Sequence, residues 1–127
     1  MTIDEAIAWI HSRKKFGSRP GLDRIQALLD KVENPEKKVP VIHIAGTNGK
    51  GSTVAYLRSI FIEAGVTVGS FTSPYIEEFN ERIAIDAQPI PDSALIHYVE
   101  KYQPIVADLD DQPAIGGITE FEILTAI

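Results

Sequence analysis

The spacing of apolar residues predicts two short helices in the first third of the chain. Between residues 2 and 11 the apolar positions recur three or four apart, as on one face of a helix. Residues 22–32 repeat this period and end before Pro35, where a helix is expected to stop. A basic stretch with glycine and proline, residues 12–21, separates the two segments and is typical of a loop.

The pattern then changes to that of an α/β unit. Residues 39–45 form a β-branched apolar run that is typical of a buried parallel strand. A glycine-rich loop at residues 46–52 interrupts it, and residues 53–64 return to helical spacing before Gly65, a natural helix stop. Residues 66–71 are a second strand candidate. Strand, loop, helix and strand together predict one right-handed βαβ unit.

The remaining sequence predicts loops, a hairpin arm and two more helices. Residues 82–86 are a short strand candidate, and Asp92 or Ser93 is suited to cap a helix. The acidic stretch 108–117 is interpreted as a surface loop. The Thr-x-x-Glu pattern at 119–122 predicts a capping box at the start of a final helix.

Composition limits the classes of function. The chain has 127 residues, of which 44% are hydrophobic and 24% charged, as in one globular domain. It has no cysteine, which excludes disulfide scaffolds and thiolate zinc sites and leaves the cytoplasm as the expected location. No apolar run approaches the length of a membrane span. The net charge of −6 argues against a nucleic-acid or anionic-membrane partner, so an anionic ligand would need local geometry to hold it.

The loop at 46–52 supplies such geometry. Three glycines within six residues allow a tight turn whose N–H groups point inward, and the following helix adds its free N–H groups. Lys50 adds a positive charge, and the hydroxyl of Ser52 or Thr53 suits a phosphate oxygen or Mg²⁺. We therefore predict a phosphate-binding loop. The structural alternative is an ordinary glycine turn with a solvated lysine.

The loop is a variant of the Walker A sequence G-x-x-x-x-G-K-[ST]. Only two residues separate Gly46 from Gly49, and Gly51 lies between Lys50 and Ser52. This spacing disfavours a P-loop kinase or GTPase. The G-x-G-x-x-G pattern of a Rossmann fold does not occur.

Residues 45–53, Ala-Gly-Thr-Asn-Gly-Lys-Gly-Ser-Thr, resemble the ATP loop of folylpolyglutamate synthases, which belong to the Mur-ligase superfamily. Other segments resemble that family in the same order, namely residues 21–25, 72–75, 79–83, 89–92 and 119–122. The resemblance implies an α/β, three-layer, P-loop-containing nucleotide-binding domain with a mostly parallel sheet, like the central domain of Mur ligases and incomplete in this chain.

The resemblance also implies a domain organisation. Residues 1–127 would be the N-terminal part of the ATP-binding domain, with a helical lead-in at 1–38, the strand, P-loop, helix and strand at 39–72, and folate-side loops and helices at 73–127. The rest of that domain, with further metal ligands and a carbamylated lysine, and a C-terminal domain are expected to be absent. We therefore expect residues 1–127 alone to be inactive.

The activity implied is ATP-dependent ligation of L-glutamate to the γ-carboxylate of folate through an acyl phosphate. Some members also make dihydrofolate from dihydropteroate. The resemblance implies ATP and Mg²⁺ as cofactors, small-molecule substrates, no nucleic-acid or membrane partner, and a monomer. Two alternatives remain: another Mur-type amide ligase of the UDP-muramate class, or a non-catalytic P-loop nucleotide-binding module.

By resemblance, two sets of residues would hold the nucleotide and its metal. The phosphates would contact Gly46, Thr47, Asn48, Gly49, Lys50, Gly51, Ser52 and Thr53, with Lys50 as the catalytic residue. Mg²⁺ would bind Ser73 and Ser52. Ser73 follows the second predicted strand, where parallel α/β sheets place ligands. The alternative for Ser73 is a turn residue before Pro74.

By resemblance, a third set would contact the pteroate part of the substrate. It comprises Thr119, Glu120, Phe121 and Glu122, with Phe121 for stacking and the carboxylates for pterin N–H groups, and also Ser18, Arg19 and Pro20. The alternative for residues 119–122 is a capping box with Phe121 in the core. The alternative for residues 18–20 is a solvated basic loop.

Overall fold

A computed structural model describes all residues from 1 to 127, and the contacts within it divide the chain into two compact units. One unit comprises Met1–Pro40 and Ser93–Ile127, and the other comprises Val41–Asp92. No helix combines the length and the apolar character that crossing a bilayer requires. The assignment of the three predicted sections to a larger ATP-binding domain stays a prediction.

The chain forms five α-helices and three short strands. The helices are α1 (Ile3–Ser12), α2 (Asp23–Lys31), α3 (Lys50–Glu63), α4 (Asp92–Asp110) and α5 (Glu120–Ala126). The strands are β1 (Gly69–Phe71), β2 (Ile83–Ile85) and β3 (Gln88–Pro89), and 3₁₀ turns lie at Arg13–Phe16, Pro35–Lys37 and Phe79–Arg82. The predicted helices and the hairpin arm are therefore confirmed.

The first unit is helical, and its helices bury one apolar core. Thr2 begins α1 with a complete capping box, since its hydroxyl accepts from the N–H of Glu5 and the Glu5 carboxylate accepts from the N–H of Thr2. The core consists of Leu28, Val32, Tyr102, Val106, Leu109, Ile118, Ile123 and Ala126. Because Leu109 packs into it, α4 continues to Asp110, and the prediction of a loop from residue 108 is wrong there.

The second unit carries an antiparallel sheet in the order β1-β2-β3. Asp86 and Ala87 have positive φ values of 48° and 65° and join β2 to β3 as a two-residue hairpin turn. Asn80 ties the 3₁₀ turn before β2 to the segment after β3. Its side-chain amide donates to the Ile90 carbonyl at 2.9 Å and to the Asp92 carboxylate at 2.8 Å.

The prediction of a buried parallel strand over residues 39–45 is wrong. That segment is not a strand, and Val41 and Ile42 are 72% and 62% exposed. A strand exists through its ladder partners, and the three strands of the chain pair only with one another. The predicted parallel pairing of residues 39–45 with residues 66–71 therefore does not form, and β1 pairs with β2 in the antiparallel sense instead. No residue of α3 is buried. The α/β content itself is confirmed.

Candidate functional site

The glycine-rich loop leads directly into α3. Gly46 and Gly49 have φ values of 150° and 77°, which favour glycine, and Gly49 is the residue that caps the helix. The N–H groups of the first turn of a helix have no acceptor within the helix and present a partial positive charge. The loop and the first residues of α3 are exposed. This is a suitable arrangement for binding an anion.

The loop is held by contacts among its own residues. The ammonium group of Lys50 donates to the carbonyl oxygen of Gly46, so the side chain folds back across the turn. The hydroxyl of Thr53 donates to the carbonyl oxygen of Gly49 at 2.9 Å. An ammonium group has three donors, so two of them remain for an anion while Lys50 keeps this bond.

Ser73 follows β1 by two residues and is exposed. The reasoning that placed it at the end of a parallel strand is wrong, because β1 belongs to the antiparallel sheet. Glu81 holds the backbone of residues 76–78, which follow Ser73. Its carboxylate accepts from the N–H groups of Ile76, Glu77 and Glu78 at 2.9–3.1 Å. The bonds from Ile76 and Glu78 lower the pKa of the Glu81 carboxyl.

The sequence reasoning overlooked this role of Glu81. Glu78 and Glu81 form a reciprocal capping box around the 3₁₀ turn. The Glu-x-x-Glu spacing at the start of that turn was the available signal. Glu81 therefore shapes the segment that follows the candidate magnesium ligand Ser73.

Hydroxyl oxygens are the only ligands that the candidate residues offer to magnesium. Ser52 and Ser73 offer hydroxyl oxygens, the hard ligand type that Mg²⁺ prefers. No group of three or more histidine, aspartate or glutamate side chains in the chain is arranged to hold a metal ion. Such a set suits an ion that keeps its waters and shares the oxygens of a bound phosphate, as Mg²⁺ commonly does in nucleotide sites.

A separate pocket of about 360 Å³ lies within the helical unit. One wall is the loop before α2 together with the start of that helix, and the other is formed by α5. The lining residues are Gly17, Ser18, Arg19, Gly21, Leu22, Ile25, Thr119, Phe121, Glu122 and Thr125. The structure therefore brings the candidate residues near position 18 next to those near position 120, about one hundred residues apart in the chain.

The candidate residues of α5 have different environments. Thr119 caps the helix, its hydroxyl accepting from the N–H of Glu122, and this half of the predicted capping box is confirmed. Glu120 contacts His11 at 3.2 Å. Phe121 is 60% exposed, so its interpretation as a core residue is wrong. Glu122 is buried, and its carboxylate accepts from Arg24 at 3.0 Å rather than completing the capping box.

The basic loop is held to the rest of the unit. Arg19 donates to the carbonyl oxygens of Gly116 and Gly117 at 2.7 and 3.2 Å. Arg24 donates to the carbonyl oxygens of Arg19 and Pro20 at 2.8 and 3.4 Å. Ser18 and Arg19 line the pocket, whereas Pro20 is not among the lining residues. The loop is thus solvent-exposed but anchored.

The sequence reasoning did not single out Leu22 and Ile25 as pocket residues, nor Arg24, which does not line the pocket but bonds the lining residue Glu122. Arg24 lies four residues before Leu28, and both are buried on the same face of α2. A charged residue at helical spacing from an apolar core position indicates a buried partner elsewhere. That spacing places Arg24 on the buried face of α2, but no local pattern identifies Glu122 as its partner.

No protein-family profile matches the chain. It is 53% identical over 122 residues to the dihydrofolate synthase/folylpolyglutamate synthase of Bacillus subtilis, a match that covers 96% of this chain and 28% of that protein. The solved folylpolyglutamate synthetase from Lactobacillus casei matches with a TM-score of 0.89 and 42% identity, over 99% of this chain and 32% of that one. A solved complex named FPGS-AMPPCP-folate matches with a TM-score of 0.88 and 41% identity, over 99% of this chain and 31% of that one.

The chain therefore spans about a third or less of the length of these relatives. The structural match extends over almost every residue and confirms the α/β P-loop fold class, of which these residues form a part. The identity of 53% to the Bacillus subtilis protein and of 42% to the Lactobacillus casei structure, over nearly the whole chain, agrees with this structural match. By sequence and by fold, the chain belongs to the folylpolyglutamate synthase/dihydrofolate synthase family.

Proposed function

We propose that the protein carrying this chain is an ATP-dependent ligase that joins L-glutamate to the γ-carboxylate of a folate. The same chemistry would serve to make dihydrofolate from dihydropteroate. One observation carries the proposal: 99% of the chain matches a solved complex whose name includes both AMPPCP, an ATP analogue, and folate. The glycine-rich loop and the helical pocket are the two parts of the chain suited to ligands of these kinds.

The loop at residues 46–53 would bind the nucleotide phosphates. A carboxylate is a poor electrophile, and transfer of the γ-phosphoryl group of ATP converts it to an acyl phosphate that an amine can attack. Such a transfer depends on positioning and on neutralising charge. In this chain the N–H groups at the start of α3 and the ammonium group of Lys50 would perform both tasks.

Ser52 and Ser73 would hold magnesium on the nucleotide. When bound, the ion would neutralise charge on the phosphate oxygens. Neither hydroxyl is engaged in a hydrogen bond of the chain that would have to be broken first, in contrast to Thr53. Glu81 supports this arrangement by fixing the backbone that follows Ser73.

The pocket of the helical unit would take the pteroate part of the substrate. Phe121 offers an exposed aromatic face for stacking on a pterin ring, and Thr119 and Glu122 form the adjoining wall. Ser18 and Arg19 lie on the other wall, with Pro20 next to them in the same loop. Glu120 belongs to the same helix and contacts His11.

The composition of this chain supports a proposal about the location and the partners of the protein. A chain without cysteine suits a reducing compartment, and we place the protein in the cytoplasm. The net charge of −6 on these 127 residues gives this part of the protein no general attraction for nucleic acid or anionic lipid. We propose a monomer that meets only small-molecule substrates.

The test is an assay of ADP release by the protein made from its complete reading frame. We expect release to require both a folate and L-glutamate. Lys50→Ala should lower kcat by about 100-fold or more, because a positive charge at the phosphates is lost. Lys38→Ala, which changes an exposed lysine outside the loop, is the matched control and should leave kcat unchanged.

The same assay decides between the alternatives. ADP release with a UDP-muramoyl substrate, and none with folate, would identify a cell-wall amide ligase. Nucleotide binding without any turnover would identify a non-catalytic module. An unchanged rate in Lys50→Ala would contradict the role given to the loop.

A further inference from the structure

A buried ion pair joins the two helices that border the pocket of the helical unit, and of its two residues only Glu122 lines the pocket. Arg24 and Glu122 are each 8% exposed. The Nε of Arg24 donates to Oε1 of Glu122 at 3.0 Å, and Nη2 of Arg24 lies 3.0 Å from the same oxygen. The two residues are 98 positions apart in the chain and belong to α2 and α5.

Arg24 also binds the loop before α2, which lies on the opposite side of the pocket from α5. Its Nη2 donates to the carbonyl oxygens of Arg19 and Pro20 at 2.8 and 3.4 Å. One planar guanidinium therefore bonds the loop before α2 and the carboxylate on α5 at the same time. Because a guanidinium presents its donors in a rigid fork, this fixes the separation of the two walls.

Glu122 is turned toward Arg24 and not toward the open part of the pocket. Oε1 accepts from Arg24, whereas Oε2 is shielded from solvent and has no hydrogen-bond partner. A ligand could reach Oε2 only if the wall moved. Glu122 thus borders the pocket but serves as the anchor of Arg24.

A buried ion pair adds little net stability, because the loss of hydration offsets the attraction. The unpaired Oε2 adds a further cost. The presence of the Arg24–Glu122 pair is therefore better explained by the geometry that it imposes on the two walls than by stability.

We propose that Arg24 is a positioning residue for the pocket, and that Glu122 acts through Arg24 instead of binding the pterin N–H groups. This inference rests on the proposed function, since it concerns how the pteroate site is shaped. Arg24 sets the width between the loop at residues 18–20 and the wall that carries Phe121.

The test compares two buried arginines in the protein made from its complete reading frame. Arg24→Lys keeps the charge but loses the fork, and we expect the Kd for folate to rise about 10-fold while the Kd for AMPPCP is unchanged. Arg13→Lys is the matched control. Arg13 is equally buried and also bonds a carboxylate and a carbonyl, but it bonds neither the loop at residues 18–20 nor Glu122, so the folate Kd should stay within about two-fold.

A second variant keeps the test decisive if Arg24→Lys folds poorly. Arg24→Met combined with Glu122→Leu removes both charges and leaves apolar side chains of similar size, a replacement that preserves folding in comparable buried pairs. Its folate Kd should also rise about 10-fold. Binding of folate as tight as in the unmodified protein would overturn the inference.

Glu122→Gln separates an anchor from a direct contact. We expect the ratio of the Kd of a 2-desamino folate to that of folate to be the same as in the unmodified protein. Collapse of that ratio would show that Glu122 binds the 2-amino group and would overturn the inference. Equal losses in Arg24→Lys and Arg13→Lys would overturn it too, by showing a general effect of stability.

The two levels of the proposal fail differently. If the unmodified protein binds no folate with AMPPCP present, the proposed function is wrong whatever the variants do. If it binds folate and Arg24→Lys binds equally well, only the role of Arg24 is wrong.

Discussion

The guanidinium of Arg13 donates one hydrogen bond of 2.8 Å to each carboxylate oxygen of Asp110, which lies 97 residues later in the chain. Its Nε donates to the carbonyl oxygen of Ile118 at 2.9 Å, and Asp110 in turn accepts from the N–H of Gly117 at 3.0 Å. Arg13 is only 7% exposed. The pair thus joins the end of α1 to the end of α4 and to the segment that leads into α5.

Asp110→Asn should destabilise the helical unit. The substitution removes the counter-charge of a buried guanidinium and replaces one acceptor oxygen by a donor. We expect the free energy of unfolding to fall by about 2–3 kcal/mol, below the upper range for fully buried pairs because the Asp110 side chain is 27% exposed. Urea unfolding at pH 7 measures this, with Asp111→Asn, an exposed neighbour, as the control. Equal effects of the two substitutions would contradict the role of the pair.

The same pair predicts a dependence on acid. Burial alone would raise the pKa of the Asp110 carboxyl, but hydrogen bonds from Arg13 and from the N–H of Gly117 outweigh it and hold that pKa below its ordinary value. A lowered pKa in the folded state contributes stability that is complete above the unfolded-state pKa of about 3.9 and is lost as the pH falls through the folded-state pKa. The stability difference between Asp110→Asn and the unmodified protein should therefore shrink below about pH 4. A difference that stays constant down to pH 2 would show that the charge is not responsible.

The helices were predictable because their signals are local. Apolar spacing, the cap at Thr119 and the stop at Gly65 all lie within a few residues of the structure that they determine. The hairpin arm was predictable for the same reason. In the loop at residues 46–53, glycine spacing identified the turn and the helix start.

Other features depend on distant partners and could not be read from local patterns. The composition of residues 39–45 indicates burial between other strands, but strand formation needs pairing that this run does not have here. Arg13 and Arg24 lie in basic or amphipathic stretches, where arginine is ordinarily solvated. Their carboxylate partners are almost one hundred residues away, beyond any periodic signal.

Gly49 and Gly51 form a matched pair that tests the loop conformation. A Cβ at either position would meet nothing within 4 Å, but only Gly49 has a positive φ, of 77°. Gly49→Ala should therefore lower the free energy of unfolding by about 1 kcal/mol or more, through backbone strain alone. Gly51→Ala lies within α3 and should be neutral or stabilising by up to about 1 kcal/mol. Thermal or urea unfolding without nucleotide measures both, and equal effects would contradict the left-handed conformation of Gly49.

Gly117 and Gly21 form a second matched pair. Their φ values are 93° and 101°, so the backbone strain of an alanine is similar at both. A Cβ on Gly117 would also collide with the guanidinium of Arg19 and the ring of Phe16, whereas Gly21 has open space around it. Gly117→Ala should lower the free energy of unfolding by about 1–3 kcal/mol more than Gly21→Ala, the usual cost of overpacking. Similar losses in urea unfolding would show that the segment before α5 is not held tightly against Arg19.

Substitution of Phe121 tests the role of the pocket most directly, because it should weaken folate binding without changing the stability of the fold. Its side chain is 60% exposed, so Phe121→Leu should change the free energy of unfolding by less than about 0.5 kcal/mol. Stacking of an aromatic side chain on a heterocyclic base contributes about 1–3 kcal/mol, so the folate Kd should rise about 10-fold. Phe121→Tyr keeps the ring face and should bind folate nearly as the unmodified protein does. Titration of folate followed by ligand fluorescence, beside urea unfolding of the same samples, measures both quantities. If Phe121→Leu and Phe121→Tyr bind folate equally well, the exposed ring does not stack on the substrate.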